Sequence, residues 1–386
     1  MEPSRLPPEW AAFQQEVEQW YEQPDWELMR AVLACARALD LPTRPFWLMV
    51  IGPSSSGKTE LYLNAAAAYH NRALTSHLTI PGLLSMEKSK KGEGLLKQFQ
   101  NSSGLWIIKD FSSILSMREE RREELIGIMR ELFDGRWDRG AGGSSETWVG
   151  RLNCLAAATP GVERFHHMSA ELGERFLRAR LPRPQASPRK AALQMGKRDY
   201  IGARVKSSVQ AILKAASKPT TSPVFEDAIY NCAELCAQLR TNVVRNNLGD
   251  IHDIGMAEGN FRAYQSLLAL AIADASLLQQ EAVEEPQLRL CLRIALDSVP
   301  GPRAAIMRCL LAPKPVLVRQ ADMLAQTGLH EYAFSYHIEA LIALNCLRRI
   351  EGNGRVDYVA SERLCSLLPT LPDYGTLAQV VSIQRH

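Results

Sequence analysis

Apolar residues recur at helical spacing near the start of the chain. Trp10, Phe13 and Val17 fall on one face of a helix, and a second helical pattern begins after Pro24. This spacing predicts an amino-terminal helical segment over residues 1–39. A proline-rich turn over residues 40–45 ends this segment.

Short apolar runs alternate with helical patterns in the next part of the chain. The first run leads into a Gly-rich loop and then a predicted helix over residues 60–71. The predicted strands span residues 46–51, 73–79, 105–108 and 152–159. Strands that alternate with helices at this spacing predict a parallel α/β sheet. Ligands of such sheets bind at the carboxyl ends of the strands, so we expect the functional site there.

A basic, proline-rich stretch separates this α/β region from a helical one. Its basic residues include Arg183, Arg189, Lys190, Lys197, Arg198, Arg204 and Lys206. Asp199 is the one acid between residues 181 and 218, and we interpret the stretch as a linker that continues into a helix. Apolar stripes over residues 224–280 and a further helix over 281–300 then predict an α-helical lid.

The last part of the chain combines three helical patterns with a hairpin signal. Helices are predicted at residues 303–311, 317–327 and 331–343, with a Gly turn between the last two. Asn353 and Gly354 then separate two short apolar runs, which is a strong signal for a β-hairpin. Three helices followed by a hairpin predict a winged-helix domain. The sequence thus predicts five parts. They are an amino-terminal helical segment (1–39), an α/β core (40–182), a basic linker with a helical lid (183–300), a winged-helix domain (301–370) and a tail (371–386).

Composition places the chain among folded proteins. Its 386 residues and 46% hydrophobic content suffice for two or three domains with buried cores. Neither a run of about 18 apolar residues nor a signal-peptide pattern occurs, so we expect a soluble cytoplasmic protein with no membrane partner. The net charge of +3 is too small by itself to indicate a nucleic-acid binder. Cys232 and Cys236 lie in an apolar helical pattern, which favours buried thiols over a metal site.

The Gly-rich loop carries the most specific motif of the chain. It matches Gly-x-x-x-x-Gly-Lys-Thr in full and lies between a predicted strand and helix, the context that a phosphate loop requires. We expect Lys58 to contact the β- and γ-phosphates and Thr59 to ligate magnesium. The predicted cofactors are ATP and Mg²⁺. The predicted nucleotide-binding residues are Gly52, Pro53, Ser54, Ser55, Ser56, Gly57, Lys58 and Thr59.

The third predicted strand supplies a carboxylate at its end. It continues into Lys109, Asp110 and Phe111, where many such ATPases have Asp-Glu to hold magnesium or to polarise water. If Asp110 is the metal-side acid, Phe111 replaces the usual Glu. If Asp110 is the base, Lys109 replaces the usual Asp. One carboxylate is absent in either alignment, so the sequence supports nucleotide binding more than rapid hydrolysis.

Polar and basic residues follow the fourth predicted strand. Thr159 at its end either orients water beside the γ-phosphate or caps the turn before Pro160. Arg175 follows in an apolar, strand-like stretch that also contains Arg178 and Arg180. An arginine donated across a subunit interface stabilises the charge of phosphoryl transfer in some ATPases.

Together these features resemble the AAA+ ATPases. Within that superfamily the chain is most similar to the minichromosome-maintenance-like helicases and the related ATPases of phages, prophages and plasmids. The resemblance covers about residues 40–365 and implies an α/β P-loop AAA+ core with a parallel sheet, a helical lid and a carboxy-terminal winged helix. It places Arg175, within Glu174-Arg175-Phe176, at the arginine-finger position. It places Arg262 at the sensor-two position of the lid.

The resemblance also identifies an insert with candidates for DNA contact. The Gly-rich stretch from Asp134 to Trp148 resembles the hairpin that faces the central channel of ring-shaped helicases. Arg136 and Arg139 in this insert are therefore candidate contacts for single-stranded DNA.

The predicted winged helix has a different distribution of charge. Its third helix, over residues 331–343, is poor in Lys and Arg, whereas phosphate contacts favour basic residues. Arg348, Arg349 and Arg355 around the wing are the better candidates for DNA-backbone contact, and the basic stretch over residues 183–206 is another. A winged helix that docks a protein remains the alternative.

These predictions favour a ring-forming AAA+ ATPase, a hexamer, that acts on single-stranded or forked DNA. It would be a helicase or a helicase loader in the replication of a phage or other mobile element, with replication proteins bound by the winged helix. Lys58 and Thr59 of one subunit and Arg175 of the next would contact the same ATP. The competing hypothesis is a nucleotide-dependent switch or adaptor that assembles on DNA or a partner protein without unwinding. The absent carboxylate favours the switch, and the Gly-rich insert favours the motor.

Overall fold

The computed structural model describes two compact units. The described residues are 6–86, 93–141, 144–165, 175–182, 188–311, 317–352, 355–367 and 371. The first unit comprises Met1–Thr221 and Leu268–Val283, and the second comprises Ser222–Leu267 and Glu284–His386.

The first unit is built around a five-stranded parallel sheet, which confirms the predicted α/β class. The described strands of this unit, in chain order, are β1 (Trp47–Ile51), β2 (Arg72–Thr75), β3 (Ser103–Ile108), β4 (Arg136–Ala141), β5 (Ser144–Val149), β6 (Arg151–Ala158) and β7 (Phe176–Arg180). The sheet has the order β2-β3-β6-β1-β7, and each neighbouring pair is parallel. Strands β4 and β5 form a separate antiparallel hairpin. The carboxyl ends of the five parallel strands therefore share one edge.

Helices cover both faces of this sheet. They are α1 (Pro8–Trp20), α2 (Trp26–Arg37), α3 (Lys58–Leu63, a π-helical turn, continued as Asn64–Ala66), α4 (Ile80–Leu83), α5 (Ser112–Leu115), α6 (Glu119–Asp134), α7 (Pro188–Gln194) and α8 (Arg198–Ala215). The side chain of Asp25 caps α2 by accepting a hydrogen bond from the Leu28 N–H. Gly135, with a φ of 90°, ends α6 in the left-handed conformation.

Buried polar contacts join distant segments of the first unit. Arg30 Nε donates to Asp274 Oδ1 at 2.8 Å, and both side chains are buried. The Trp10 indole donates to the Leu277 carbonyl at 2.8 Å. Removing one partner of such a buried ion pair typically costs about 3–5 kcal/mol. The amino-terminal helices and residues 268–283 therefore belong with the α/β core, a division that differs from the predicted boundaries at residues 39 and 182.

The second unit is largely helical, with two small antiparallel sheets. Its elements are α9 (Pro223–Arg240), β8 (Val243–Arg245), β9 (Ile251–Ile254), the start of α10 (Phe261–Leu277), α11 (Glu285–Asp297), α12 (Gly301–Leu310), β10 (Val318–Arg319), α13 (Gln320–Thr327), α14 (Glu331–Ala343), β11 (Leu347–Gly352), β12 (Arg355–Ala360) and α15 (Glu362–Leu367). Strands β10, β12 and β11 form a three-stranded antiparallel sheet in that order. The predicted Asn353-Gly354 turn lies outside the described residues, as does the predicted tail apart from residue 371.

The hairpin of β8 and β9 was not predicted, since residues 224–280 were expected to be helical throughout. Asn246 Oδ1 accepts hydrogen bonds from the N–H groups of Leu248 and Asp250, and Gly249 has a φ of 92°. These local bonds stabilise a turn in place of a helix. The turn residues themselves, rather than the flanking apolar stripes, carried the signal.

Among the helices that the structure describes, none is both long enough and apolar enough to cross a membrane.

Candidate nucleotide-binding site

The phosphate loop lies at the carboxyl end of β1, an interior strand of the sheet between β6 and β7. The Gly52 N–H donates to the Ala158 carbonyl at 3.1 Å, and the Leu181 N–H donates to the Ile51 carbonyl at 2.7 Å. These bonds continue the pairing of β1 with β6 and with β7 up to the first residue of the loop. The loop, Thr159 and Leu181 therefore meet at one edge of the sheet, where α/β proteins bind ligands.

Two glycines and one serine give this loop its shape. A Cβ atom on Gly52 would lie 3.1 Å from both the Cβ and the carbonyl oxygen of Leu181, so a larger residue would have to displace Leu181 by a few tenths of an ångström. Gly57 and Ser55 have φ values of 80° and 61°, in the left-handed region that favours glycine. Left-handed residues in a turn direct neighbouring N–H groups toward one side, a common backbone arrangement for anion binding. Helix α3 begins directly afterwards, so its positive dipole end faces the loop.

The ammonium of Lys58 is folded back over its own loop. Nζ donates to the carbonyl oxygens of Gly52 at 2.7 Å and Pro53 at 2.6 Å, and Ser56 Oγ lies at 3.3 Å. Partial burial lowers the pKa of Lys58, and attraction to the Asp110 carboxylate opposes that shift. All three hydrogen-bond acceptors are neutral. The Lys58 ammonium can therefore leave these acceptors and donate to a phosphate without breaking an ion pair.

Asp110 and Thr159 are brought together by a residue that the sequence reasoning did not single out. Asp110 Oδ1 accepts a hydrogen bond from the Ser112 N–H at 2.9 Å, and Ser112 Oγ lies 3.4 Å from Thr159 Oγ1. The turn after Thr159 uses its carbonyl oxygen, which accepts from the Val162 N–H. The Thr159 side chain is thus directed to Ser112, and the group can orient a polar molecule beside the loop.

Lys109 directly follows β3, and its side chain lies on the face of the sheet opposite the core cluster. Trp106 and Ile108 belong to the core cluster on one face, so alternation along the strand places Lys109 on the other. Lys109 and Thr59 line the same cleft of about 670 Å³. The residues fit a nucleotide phosphate, but in the cleft with Thr59 they offer a cation where magnesium needs an oxygen ligand. Within the described part of the chain no group of three or more His, Cys, Asp or Glu residues is placed to hold a metal.

Arg175 is held inside its own chain. Its side chain is buried, with the residue 7% exposed, and Nη2 contacts Asp134 Oδ2 at 3.0 Å. Its guanidinium also lies 5.6 Å from the centroid of the Phe133 ring. Arg180 likewise forms an ion pair with Glu163. Glu174, the neighbour of Arg175 in the motif, lies outside the described residues.

Arg262 lies in the first turn of α10, in the part of that helix that belongs to the second unit. It is half-buried. Its assignment to the sensor-two position stays a prediction.

The insert between α6 and β6 is a hairpin anchored in the core. Trp137 and Trp148 face each other across its two strands, and both are buried. Arg136 Nε contacts Asp138 Oδ2 at 2.8 Å, and the hydrogen bond from Arg136 lowers the pKa of Asp138. Arg139 donates to the carbonyl oxygen of Leu84. Both arginines proposed for DNA contact therefore have acceptors within the chain.

The arginines near the predicted wing are exposed on β11 and β12. Arg348 lies 3.7 Å from Glu362, Arg349 lies 2.8 Å from Glu351, and Arg355 is exposed at the start of β12. These are surface ion pairs, which contribute little to stability.

One side of α14 contacts an arginine that the sequence reasoning missed. Arg245 of the β8–β9 hairpin forms an ion pair with Glu339 at 2.8 Å, and its guanidinium lies 4.1 Å from the Tyr336 ring centroid. It also donates to the Tyr336 carbonyl at 2.7 Å. This contact covers part of the helix that a winged helix would present to DNA.

Comparison with known protein families finds no family model that matches the sequence, and comparison with curated proteins finds no significant match.

Proposed function

We propose that the chain is an ATP-binding AAA+ protein that assembles into a ring and acts on DNA. The observation that carries this proposal is the phosphate loop: a complete motif at the carboxyl end of an interior parallel strand, followed at once by a helix. Lys58 there is held by neutral acceptors and is available to phosphate.

Hydrolysis in this proposal depends on Asp110. Its carboxylate would accept the proton of the attacking water, while Ser112 and Thr159 orient that water. Asp110 and Thr159 are joined through Ser112 in this arrangement. The sequence predicts magnesium at Thr59 and Asp110, but the Lys109 ammonium in the cleft that Thr59 lines opposes a divalent cation there. Because the metal-side Asp is replaced by Lys109, we expect slow turnover.

The ring is proposed from the resemblance of Arg175 to an arginine finger. In a hexamer, Arg175 of one subunit would contact the γ-phosphate bound by the next. This requires Arg175 to exchange the Asp134 carboxylate for a phosphate.

DNA contact is proposed at the insert and at the carboxy-terminal domain. The hairpin of β4 and β5 supports a channel-facing role for Arg136 and Arg139. The order of α12, α13 and α14 followed by β11 and β12 supports a winged helix, and Arg348, Arg349 and Arg355 are its exposed cations. A helicase or helicase loader in replication of a phage or mobile element is the role we propose, with Arg262 as sensor two of a helical lid.

A nucleotide-dependent switch is the second candidate, and two observations favour it. Arg175 is tied to Asp134 in its own chain, and a lysine, Lys109, rather than an acid lines the cleft with Thr59. Both features slow hydrolysis without preventing nucleotide binding. Such a protein would assemble on DNA or on a partner when ATP binds.

Lys58→Ala tests the proposal most directly. We expect ATP affinity to fall by at least about a hundredfold, because Lys58 would contact phosphate. Lys97→Ala is the matched control, since Lys97 is an exposed lysine outside the loop. Calorimetric titration with ATP measures affinity, and turnover with and without single-stranded DNA separates motor from switch. Equal affinity in Lys58→Ala and the parent protein would refute the site.

A further inference from the structure

We propose that Lys109 takes part of the role of magnesium in this site. Its ammonium contacts the terminal phosphates of the bound nucleotide beside Thr59, so the protein binds ATP without a divalent cation. This inference rests on the proposed nucleotide site and concerns how that site neutralises phosphate charge.

The position of Lys109 is fixed by the strand that precedes it. The Lys109 N–H donates to the Thr75 carbonyl at 2.8 Å, which continues the ladder of β2 and β3 by one residue. Side chains alternate along this extended backbone. Ile108 lies in the core cluster on one face, so Lys109 lies on the opposite face with α3.

The cleft on the α3 face joins Lys109 to the magnesium-ligand position. Thr59, Lys109 and Lys206 line it together with two acids, Glu60 and Asp199. Glu60 Oε1 lies 3.5 Å from the Arg198 guanidinium, so one of the two acids has a cationic partner of its own. Arg198 also lines the cleft, so three cations face two acids there and the cleft can receive an anion.

The charge of Lys109 determines whether a metal ion or a phosphate binds at this strand end. In P-loop nucleotide hydrolases, magnesium is held by the loop Ser or Thr together with an Asp at the end of a neighbouring strand. An ammonium at the Asp position repels a divalent cation and attracts the phosphate oxygens that the cation would otherwise neutralise. A lysine is a compact point charge suited to phosphate contact. The substitution thus exchanges a metal ligand for a direct phosphate ligand.

The experiment measures ATP affinity in magnesium and in EDTA for the full chain and three variants. For the parent protein we expect affinities in the two buffers to agree within about threefold. Lys109→Ala should weaken binding in EDTA by about tenfold, the effect of one charge-assisted contact. Lys109→Asp should bind well only in magnesium. Lys97→Ala, at an exposed lysine that does not line the cleft, should behave as the parent does. Circular dichroism melts confirm that each variant is folded.

The outcomes separate this inference from the function on which it rests. Binding by the parent that depends on Lys58 but falls by more than about tenfold in EDTA would overturn the role of Lys109 alone. Equal magnesium dependence in Lys109→Asp and the parent would overturn it as well. Absence of ATP binding in both buffers would refute the nucleotide site and this inference together.

Discussion

Lys58 and Arg175 are both cations that the sequence assigns to nucleotide phosphate, yet the structure holds them differently. Lys58 donates to two backbone carbonyls of its own loop and lies near one hydroxyl. Arg175 is buried against the Phe133 ring and forms an ion pair with Asp134. Moving Lys58 to a phosphate exchanges neutral acceptors for an anion. Moving Arg175 exchanges one anion for another and leaves Asp134 without its partner.

This difference separates binding from turnover. In the proposed function, the loop lysine would meet ATP in a single chain, whereas the arginine would need a new environment, such as a neighbouring subunit, before it could contact phosphate. Partly buried ion pairs resist such exchange because the abandoned carboxylate must be solvated again. We therefore expect ATP binding to be local and hydrolysis to depend on assembly.

The largest expected effect is that of Arg175→Ala. If Arg175 acts as a finger in trans, turnover falls by about a thousandfold or more while ATP affinity stays close to that of the parent protein. Phosphate-release assays and calorimetric titration measure the two quantities. Asp134→Asn is the matched control, because it removes the ion pair but keeps the arginine, and it should retain turnover.

A mixture of variants tests whether the site is shared. Combining Arg175→Ala with Lys58→Ala should recover activity, since mixed rings contain interfaces with both residues intact. No recovery in mixtures shown by light scattering to form mixed oligomers would mean that Arg175 acts in its own chain or is structural. A similar loss of turnover in Asp134→Asn would assign the ion pair a structural role.

Asp110→Asn should have the next largest effect. The amide oxygen can still accept the hydrogen bond from the Ser112 N–H, so the local turn is kept and only the charge is lost. We expect ATP to bind, with turnover lower by at least about a hundredfold. Turnover equal to that of the parent would show that another acid activates water.

The smallest expected effect is on DNA binding by the insert. Its two arginines differ in the same way as Lys58 and Arg175, since one is held by neutral acceptors and the other by a carboxylate. Arg139 is held by backbone carbonyls, as Lys58 is, whereas Arg136 is paired with a carboxylate, as Arg175 is. Each substitution by Ala should reduce the salt slope of single-strand binding by about one unit. Asp138→Asn should strengthen binding by freeing Arg136. Fluorescence anisotropy across a salt series measures this, and unaltered slopes would remove the insert from the DNA path.

Much of the fold could be predicted from sequence where the signal is local. Helix α14 begins and ends at the predicted residues 331 and 343, and the parallel sheet follows from alternating strands and helices. The hairpin of β8 and β9 was missed because apolar stripes on either side suggested one long helical segment. Asn246 and Gly249 decide that turn through bonds to their immediate neighbours.

The candidate site divides in the same way. The phosphate-loop motif consists of eight consecutive residues, from Gly52 to Thr59, so it could be recognised from the order of residues alone. The side of the sheet on which Lys109 lies also follows from alternation along β3, but only once the core face of the strand is known. The sequence alone left both alignments open.

The sequence by itself was enough to predict the phosphate-loop motif, the α/β class and which charged residues follow each strand, because these depend on residues close in the chain. The tertiary structure decided which side chains meet. Ser112 meets Thr159 across 47 residues, Arg175 meets Asp134 across 41, and Arg30 meets Asp274 across 244. Such pairs have no periodic or local signature, since they arise only when packed elements bring distant segments together and burial makes an unpaired charge costly.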